Sequence, residues 1–582
     1  MDPLVRVIIL ASLWLVYTVA LILIIYCVLW VARTIRRRMH TTSLLGPSTP
    51  DADGGDIAGW SAKYGPVFAV PRGWFERTVV LCDAAAIEHF YAQSPAVYRV
   101  TPATRRCTRN LVGKGLACVD GEQHTAYRQV LSPLFSTAAV AGYAPTFFTM
   151  ANKVHSIWAD ALQSRPRGMV VEISHWMNSV VLDSLGAAGF AHDFNSLSGN
   201  YCPVTAAFYA LRAPAAAGSL ADKLFRAAPA LPAWAAPLLR MWPGDRNRIM
   251  RHFRAVVHGV AGGVVERHSS RLRKPADGDG DGDGESSSGS EGQADCSYIS
   301  LLIKSLAEDP AGERRLSQEE VATQNTWLFS GFETTAASLT WLLIELAKHP
   351  EVQERLRAEI RQVQDGAEDY SEIARLPYLH AVVYETLRLH PPMGGTTRVA
   401  GKDDIIPLSA PIATTTSSSF TRTTPNSDMA KTVNSIKIAK GTHVTVPIRP
   451  VNTRSEFGFW GPGAGMFDPE RWWIQHQNVA GEGEGADSGG DVDGSGSRDR
   501  EGKIMHLAFG DGGRACIGAG VALGLMKVVV FVLVRGYTFA LPHGPRTRVE
   551  AVGEPVARPQ ARGDSGSEGE GTAVMMVVRK AV

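Results

Sequence analysis

The chain places one cysteine in a setting suited to chemistry: Phe509-Gly510-Asp511-Gly512-Gly513-Arg514-Ala515-Cys516-Ile517-Gly518. Glycines ahead of Cys516 let the backbone approach a flat, bulky group without Cβ collisions, and Gly518 lets the segment that follows lie close to the same object. Backbone N–H groups in the loop, and the positive end of a helix expected over Val521–Val534, favour a thiolate over a thiol. Arg514 supplies a permanent cation for an acidic group nearby. Two other readings fit the same residues. A free cysteine is commonly a small buried hydrophobe. Gly510–Ala515 also satisfies the G-x-G-x-x-A dinucleotide fingerprint, placed between the strand-like Ile504–Ala508 and a helix. That fingerprint calls for an acidic residue about 20 positions on, and no Asp or Glu stands between Gly512 and Val549.

Further clusters carry less information alone. Ser330-Gly331-Phe332-Glu333-Thr334-Thr335 lies inside a helical run that opens on the capping-box pattern Ser317-Gln318-Glu319-Glu320 and closes at Pro350. Glycine costs about 1 kcal/mol in a helix interior, and an acid beside two threonines conflicts with neighbours such as Trp327, Phe329 and Trp341. That conflict points to a site, although a solvent-facing Glu with Thr hydroxyls bonded to the preceding turn explains it equally well. Glu385 and Arg388 share one face of a helix stopped by Pro391-Pro392, and Phe467-Asp468-Pro469-Glu470-Arg471-Trp472 follows downstream. An isolated E-x-x-R is usually a surface ion pair. His124 and Arg128 stand four apart on another helix, and Arg398 follows Thr396-Thr397.

The elements that must position these residues are mainly helical. From about Gly121 to Val363, Ala, Leu and charged residues recur at spacings of three and four. Before that, Val67–Val70 and Arg77–Leu81 predict a hairpin feeding a helix over Ala84–Ala92. The stretches 276–294, 409–431 and 480–502 are rich in Gly, Ser, Thr and Asp, and are expected to be disordered insertions in one domain. Gly46-Pro47-Ser48-Thr49-Pro50 predicts a stiff connector that separates the body from the N-terminus. There the uncharged run Val7–Ala32 would form about 39 Å of helix, enough to cross a bilayer. Arg33, Arg36, Arg37 and Arg38 follow it and only Arg6 precedes it, so the body is expected on the cytosolic side. The scattered Cys27, Cys82, Cys107, Cys118, Cys202, Cys296 and Cys516 form neither a disulfide framework nor a zinc pattern. With 59 basic and 57 acidic residues, no overall field directs the protein toward nucleic acid.

Taken in order, these segments resemble the cytochrome P450 family. The cysteine loop matches F-x-x-G-x-R-x-C-x-G at Phe509, Gly512, Arg514, Cys516 and Gly518. The helical hexamer is similar to [A/G]-G-x-[D/E]-T-[T/S], with Ser330 the one departure, and Glu385, Arg388 and Arg471 resemble the family's E-x-x-R and P-E-R elements. Gly463 also departs from the family, which often has Asp there. The resemblance implies a mainly α fold with small β-sheets, the cytochrome P450 fold, in which residues 46–582 form a haem domain preceded by the 1–45 anchor and basic linker. It further implies haem b with Cys516 as axial thiolate, favouring O–O cleavage. Arg514, Arg398, His124 and Arg128 would reach the propionates. Gly331 would leave room for dioxygen, Glu333 and Thr334 would relay protons, and Glu385, Arg388 and Arg471 would form a structural network.

The implied activity is insertion of one oxygen atom of O2 into a lipophilic small molecule. Electrons would come from a separate NADPH-cytochrome P450 reductase, with cytochrome b5 as an auxiliary donor, at the endoplasmic reticulum membrane. The motif organisation resembles the fungal microsomal branch, which works in lipid, terpenoid or other secondary metabolism. A haem-thiolate isomerase, a peroxygenase-type enzyme and a non-catalytic haem binder share the cysteine loop. The regions expected to line the substrate pocket, Val100–Gly115 and Cys202–Trp242, contain no group that dictates one molecule.

Overall fold

A computed structural model of the protein describes residues 3–49, 57–72, 76–113, 115–190 and 192–199, short pieces between 203 and 259, then 318–364, 369–414, 431–457, 459–472, 506–553, 556–562 and 573–581. In chain order the first elements are α1 (Pro3–His40), α2 (Ile57–Tyr64), β1 (Val67–Arg72), β2 (Glu76–Leu81), α3 (Ala84–Ala92) and β3 (Tyr98–Val100). Next come α4 (Pro102–Val112), α5 (Gly121–Leu131), α6 (Thr137–Gln163), β4 (Met169–Glu172), α7 (Ile173–Phe190), α8 (Gln318–Lys348), α9 (Pro350–Ile360) and α10 (Pro377–Leu389). The rest are β5 (Thr396–Ala400), β6 (Asp404–Thr414), β7 (Lys431–Ile438), β8 (His443–Val446), α11 (Ala519–Gly536), β9 (Tyr537–Ala540), β10 (Val549–Val552), β11 (Arg558–Ala561) and β12 (Met575–Lys580).

Two compact units share the chain: residues 1–99, 396–451 and 456–459 form the first, and the remainder the second. In the first, the expected hairpin is β1 antiparallel to β2, with Val67 opposite Leu81. β8 adds to β2 in parallel and β5 to β8 antiparallel. α3 follows because the Asp83 side chain caps it, accepting from the Ala86 N–H. The connector at Gly46 is not the separating spacer expected. Leu44 is buried, the Ala69 N–H donates to the Leu45 carbonyl, and a Cβ on Gly46 would lie 2.0 Å from the Ala69 oxygen. The end of α1 is fastened to the same unit: Arg37 donates to Glu76 Oε1 at 2.8 Å, and the Thr41 hydroxyl meets that of Thr442 at 3.1 Å. Upstream, Leu13, Trp14, Val16, Tyr17 and Ile22 are exposed, and α1 is long and apolar enough to cross a membrane. The Ser/Thr-rich insertion begins later than expected. Ser409–Thr414 belongs to β6, whose Ile412 pairs with Val433 on β7, and Lys431 already opens β7. Backbone pairing there outweighs a polar composition. Residues 415–430, like 276–294 and 480–502, lie outside the described residues.

The second unit is the helical body. α6 opens on a Ser136 cap and α4 on Thr101 with Pro102 at its first position. Pro350 both ends α8 and starts α9. Trp158, Phe147, Phe148, Trp341 and the run Leu525–Val534 fill the core. α11 also passes the length and hydropathy test for a membrane span, but its side chains are buried among α6 and α9, so it is a core helix. β12 pairs with β4 and β9, and β10 pairs with β11 as a hairpin.

Candidate functional site

The cysteine loop belongs to the second unit. Its approach is not the strand expected: His506–Ala508 is irregular, and His506 is buried against the rings of Tyr384, Trp472 and Phe509. This run is apolar because it enters the core, not because it pairs in a sheet. Gly510 and Gly512 adopt φ of 69° and 65°, a region that favours glycine. The Cys516 N–H donates to the Phe509 carbonyl at 2.8 Å and the Ala515 N–H to Gly512 at 2.9 Å, which closes the loop. Among the described residues, a Cβ on Gly518 would touch the Phe135 ring at an ordinary 3.7 Å, so these neighbours do not demand glycine.

Cys516 is exposed by surface area, yet its surroundings are dense enough that burial pushes its thiol up, while the Gly518 N–H and the charge of Arg128 pull it down. A lone thiolate is costly there unless a cation answers it. The Arg128 guanidinium donates to the Ala515 carbonyl at 2.6 Å, and His124, one turn earlier on α5, is buried. Arg514 donates to the Val119 carbonyl at 2.6 Å and pairs with Asp120, which also holds Arg105. The acidic partner of Arg514 is therefore Asp120, which sequence reasoning did not single out. Arg105 Nε is buried with no hydrogen-bond partner among the described residues, and within the first unit the same is true of Arg398 Nε. Burial lowers the pKa of Arg398, whose Nη1 donates to the Thr397 carbonyl at 3.1 Å. Buried guanidinium N–H groups of this kind suit an anionic ligand.

On α8, the Thr334 and Thr335 hydroxyls both donate to the Gly331 carbonyl at 3.0 Å, the back-bonding that threonines make in helices. Among the described residues, a Cβ on Gly331 would meet nothing within 4 Å. Glu333 does not face solvent: its side chain is 13% exposed, and its Oε1 accepts from Arg558 Nε at 2.8 Å. Ser317, the expected cap, lies outside the described residues.

The structure brings Glu385, Arg388 and Arg471 together. Glu385 and Arg388 are fully buried and joined by two bonds of 2.7 Å. Arg471 Nε donates to Glu385 at 3.2 Å, and Arg388 also reaches the carbonyls of Asn452, Ala464 and Met466. Trp472 Nε1 and the Asp468 N–H complete the shell of Glu385, each at 2.9 Å. Gly463, with φ of 80°, gives its carbonyl to Arg471 at 2.8 Å. Trp472 directly follows Arg471, a signal that could have found it. For Asp120 and Arg558 no such signal existed.

The cytochrome P450 family model matches residues 57–408 and 415–561. Cytochrome P450 monooxygenases claP and claO of Ampulloclitocybe clavipes are 36% and 37% identical, over 91% of this chain and 93% of each relative. Cytochrome P450 monooxygenase 205 of Postia placenta is 29% identical over 86% of this chain and 84% of its own length. A crystal structure of a cytochrome P450, CYP102L1, has the same fold: its TM-score is 0.61 at 20% identity, covering 89% of this chain and 95% of that one.

Proposed function

The chain belongs to the cytochrome P450 family and is a haem monooxygenase whose iron carries a cysteine thiolate, and from that premise we propose that Cys516 is the cysteine. The observation that supports it is the accessible but desolvated Cys516 sulfur on a loop whose glycines hold left-handed turns. When bound, the haem supplies oxygen activation with electron density pushed from the thiolate. The protein's own part begins with binding: within the second unit Arg514, Arg128 and His124 offer cationic or N–H donors for the propionates, and Arg105 adds a buried donor beside Asp120. Gly331 keeps one wall open, Thr334 holds a hydroxyl proton against the Gly331 carbonyl, and Glu333 moves protons through its carboxylate. Glu385, Arg388 and Arg471 keep the surrounding core in register.

The oxygen atom goes into a lipophilic small molecule, a reading supported by a candidate pocket sequence with no group dedicated to one polar ligand. A separate NADPH-cytochrome P450 reductase, assisted by cytochrome b5, delivers the electrons. α1 anchors the protein in the endoplasmic reticulum membrane with Arg36, Arg37 and Arg38 on the cytosolic side. A place in secondary metabolism is a reading supported by the fungal origin of the relatives. The test is the carbon monoxide spectrum of the reduced protein. Wild type gives the long-wavelength Soret band of thiolate ligation and Cys516→Ala loses it; an alanine variant with an unaltered band rules Cys516 out.

A further inference from the structure

The hairpin β10–β11 carries Arg558 at its paired end, opposite Val552. It is tied to the chain just beyond α10: the Ala557 N–H donates to the Pro392 carbonyl at 2.9 Å, and Val556 bridges Met393. Arg558 is thus the first residue after a doubly fastened point, and Pro559 stiffens the backbone beyond it. Its guanidinium grips one carboxylate oxygen of Glu333 twice, with Nε 2.8 Å and Nη2 2.7 Å from Oε1. The carboxylate is the more enclosed partner, 13% exposed against 35% for Arg558, so the cation is what keeps a charge tolerable at Glu333.

We propose that Arg558 is a positioning residue that holds the Glu333 carboxylate ionised and in one rotamer through its two contacts to Oε1. This rests on Glu333 being the proton-moving acid. Arg558 makes and breaks no bond itself. It fixes where the acid stands and opposes its protonation, so the acid gives up each proton it receives instead of keeping it.

The experiment uses the full-length haem-loaded protein in phosphatidylcholine vesicles with a surrogate NADPH-dependent reductase and no added substrate. The fraction of electrons released as hydrogen peroxide, as opposed to water, reads proton supply. Glu333→Gln and Arg558→Met each raise that fraction by about threefold or more, within the range a misplaced general acid commands. Arg558→Lys restores part of the loss, and the double variant is no worse than Glu333→Gln alone. Independently of turnover, urea midpoints of the four proteins in the cycle are non-additive, because the two side chains are coupled. If Glu333→Gln changes the peroxide fraction and Arg558→Met does not, the positioning role is wrong while the acid's role stands. A peroxide fraction unmoved by Glu333→Gln sinks both. Coupled midpoints with unchanged peroxide reduce the pair to a structural bond and overturn the proposal. Should Arg558→Met fail to retain haem, Arg558→Gln takes its place under the same criteria.

Discussion

Replacing Glu385 by alanine is expected to cost a large share of the protein's stability margin. Glu385 is 0% exposed and accepts five contacts: Arg388 Nε and Nη2 at 2.7 Å, Trp472 Nε1 and the Asp468 N–H at 2.9 Å, and Arg471 Nε at 3.2 Å. Alanine leaves Arg388, also 0% exposed, with neutral carbonyls and the Trp460 ring around its charge. Breaking a buried pair from one side costs about 3–5 kcal/mol, and stranding the Trp472 indole adds about 1 kcal/mol or more. A folded protein holds only about 5–15 kcal/mol in total. With a urea dependence above about 3 kcal/mol per molar for a body of this size, the midpoint falls by roughly 1–2 M. The assay follows Soret absorbance and tryptophan emission through urea, with Glu550→Ala as control. Glu550 pairs with Arg562 at 2.9 Å, but the two side chains are 53% and 62% exposed, so its loss costs less than about 1 kcal/mol. Glu385→Gln falls between, since it keeps one acceptor oxygen but turns an amide N–H toward the guanidinium groups. A midpoint for Glu385→Ala within about 0.3 M of the Glu550→Ala control refutes the reasoning.

Burial pushes the His506 pKa down to about 3, so between pH 6.5 and about 3 the unfolded chain takes a proton that the folded chain refuses. Stability present above pH 6.5 is therefore lost on acidification, by up to about 1.4 kcal/mol per pH unit; His506→Phe flattens that slope in urea midpoints taken across pH, and an unchanged slope disproves it. His443, pushed down to about 4 in the first unit, adds the same sign, so the wild-type-minus-variant difference is the quantity to read. A chain starting at Arg33 keeps the Arg37–Glu76 and Thr41–Thr442 contacts and leaves the membrane fraction with haem bound, whereas one starting at Ser48 loses Leu44 and Leu45 and has a lower midpoint; equal midpoints contradict the packed connector. Thr334→Ala is expected to divert electrons to hydrogen peroxide in the substrate-free vesicle assay, and an unchanged fraction favours a peroxide-using or isomerising enzyme over proton relay through this hydroxyl.

What could be read from the sequence followed the distance over which each feature is decided. The Cys516 loop was legible because its requirements are local: left-handed turns at Gly510 and Gly512 and a helix beginning at Ala519 all fall within a few residues. The start of α3 and the ends of α8 and α10 were legible for the same reason, through Asp83, Pro350 and the Pro391-Pro392 stop. Composition misled where pairing or burial decided the outcome. Ile412–Thr414 opens a Ser- and Thr-rich stretch yet pairs with β7, and Leu507–Ala508 is apolar yet irregular. The partners of the site's charges lay further out of reach. Arg514 meets Asp120 across 394 residues and Glu333 meets Arg558 across 225, and neither partner sits in a pattern of its own. An acid at an awkward helical position announces that something must answer its charge, because leaving it unanswered costs several kcal/mol. It does not say from where, since any guanidinium that the fold delivers will serve. Local conflict in the sequence therefore located Glu333, and only the packing of β11 against α8 identified the cation on which its chemistry depends.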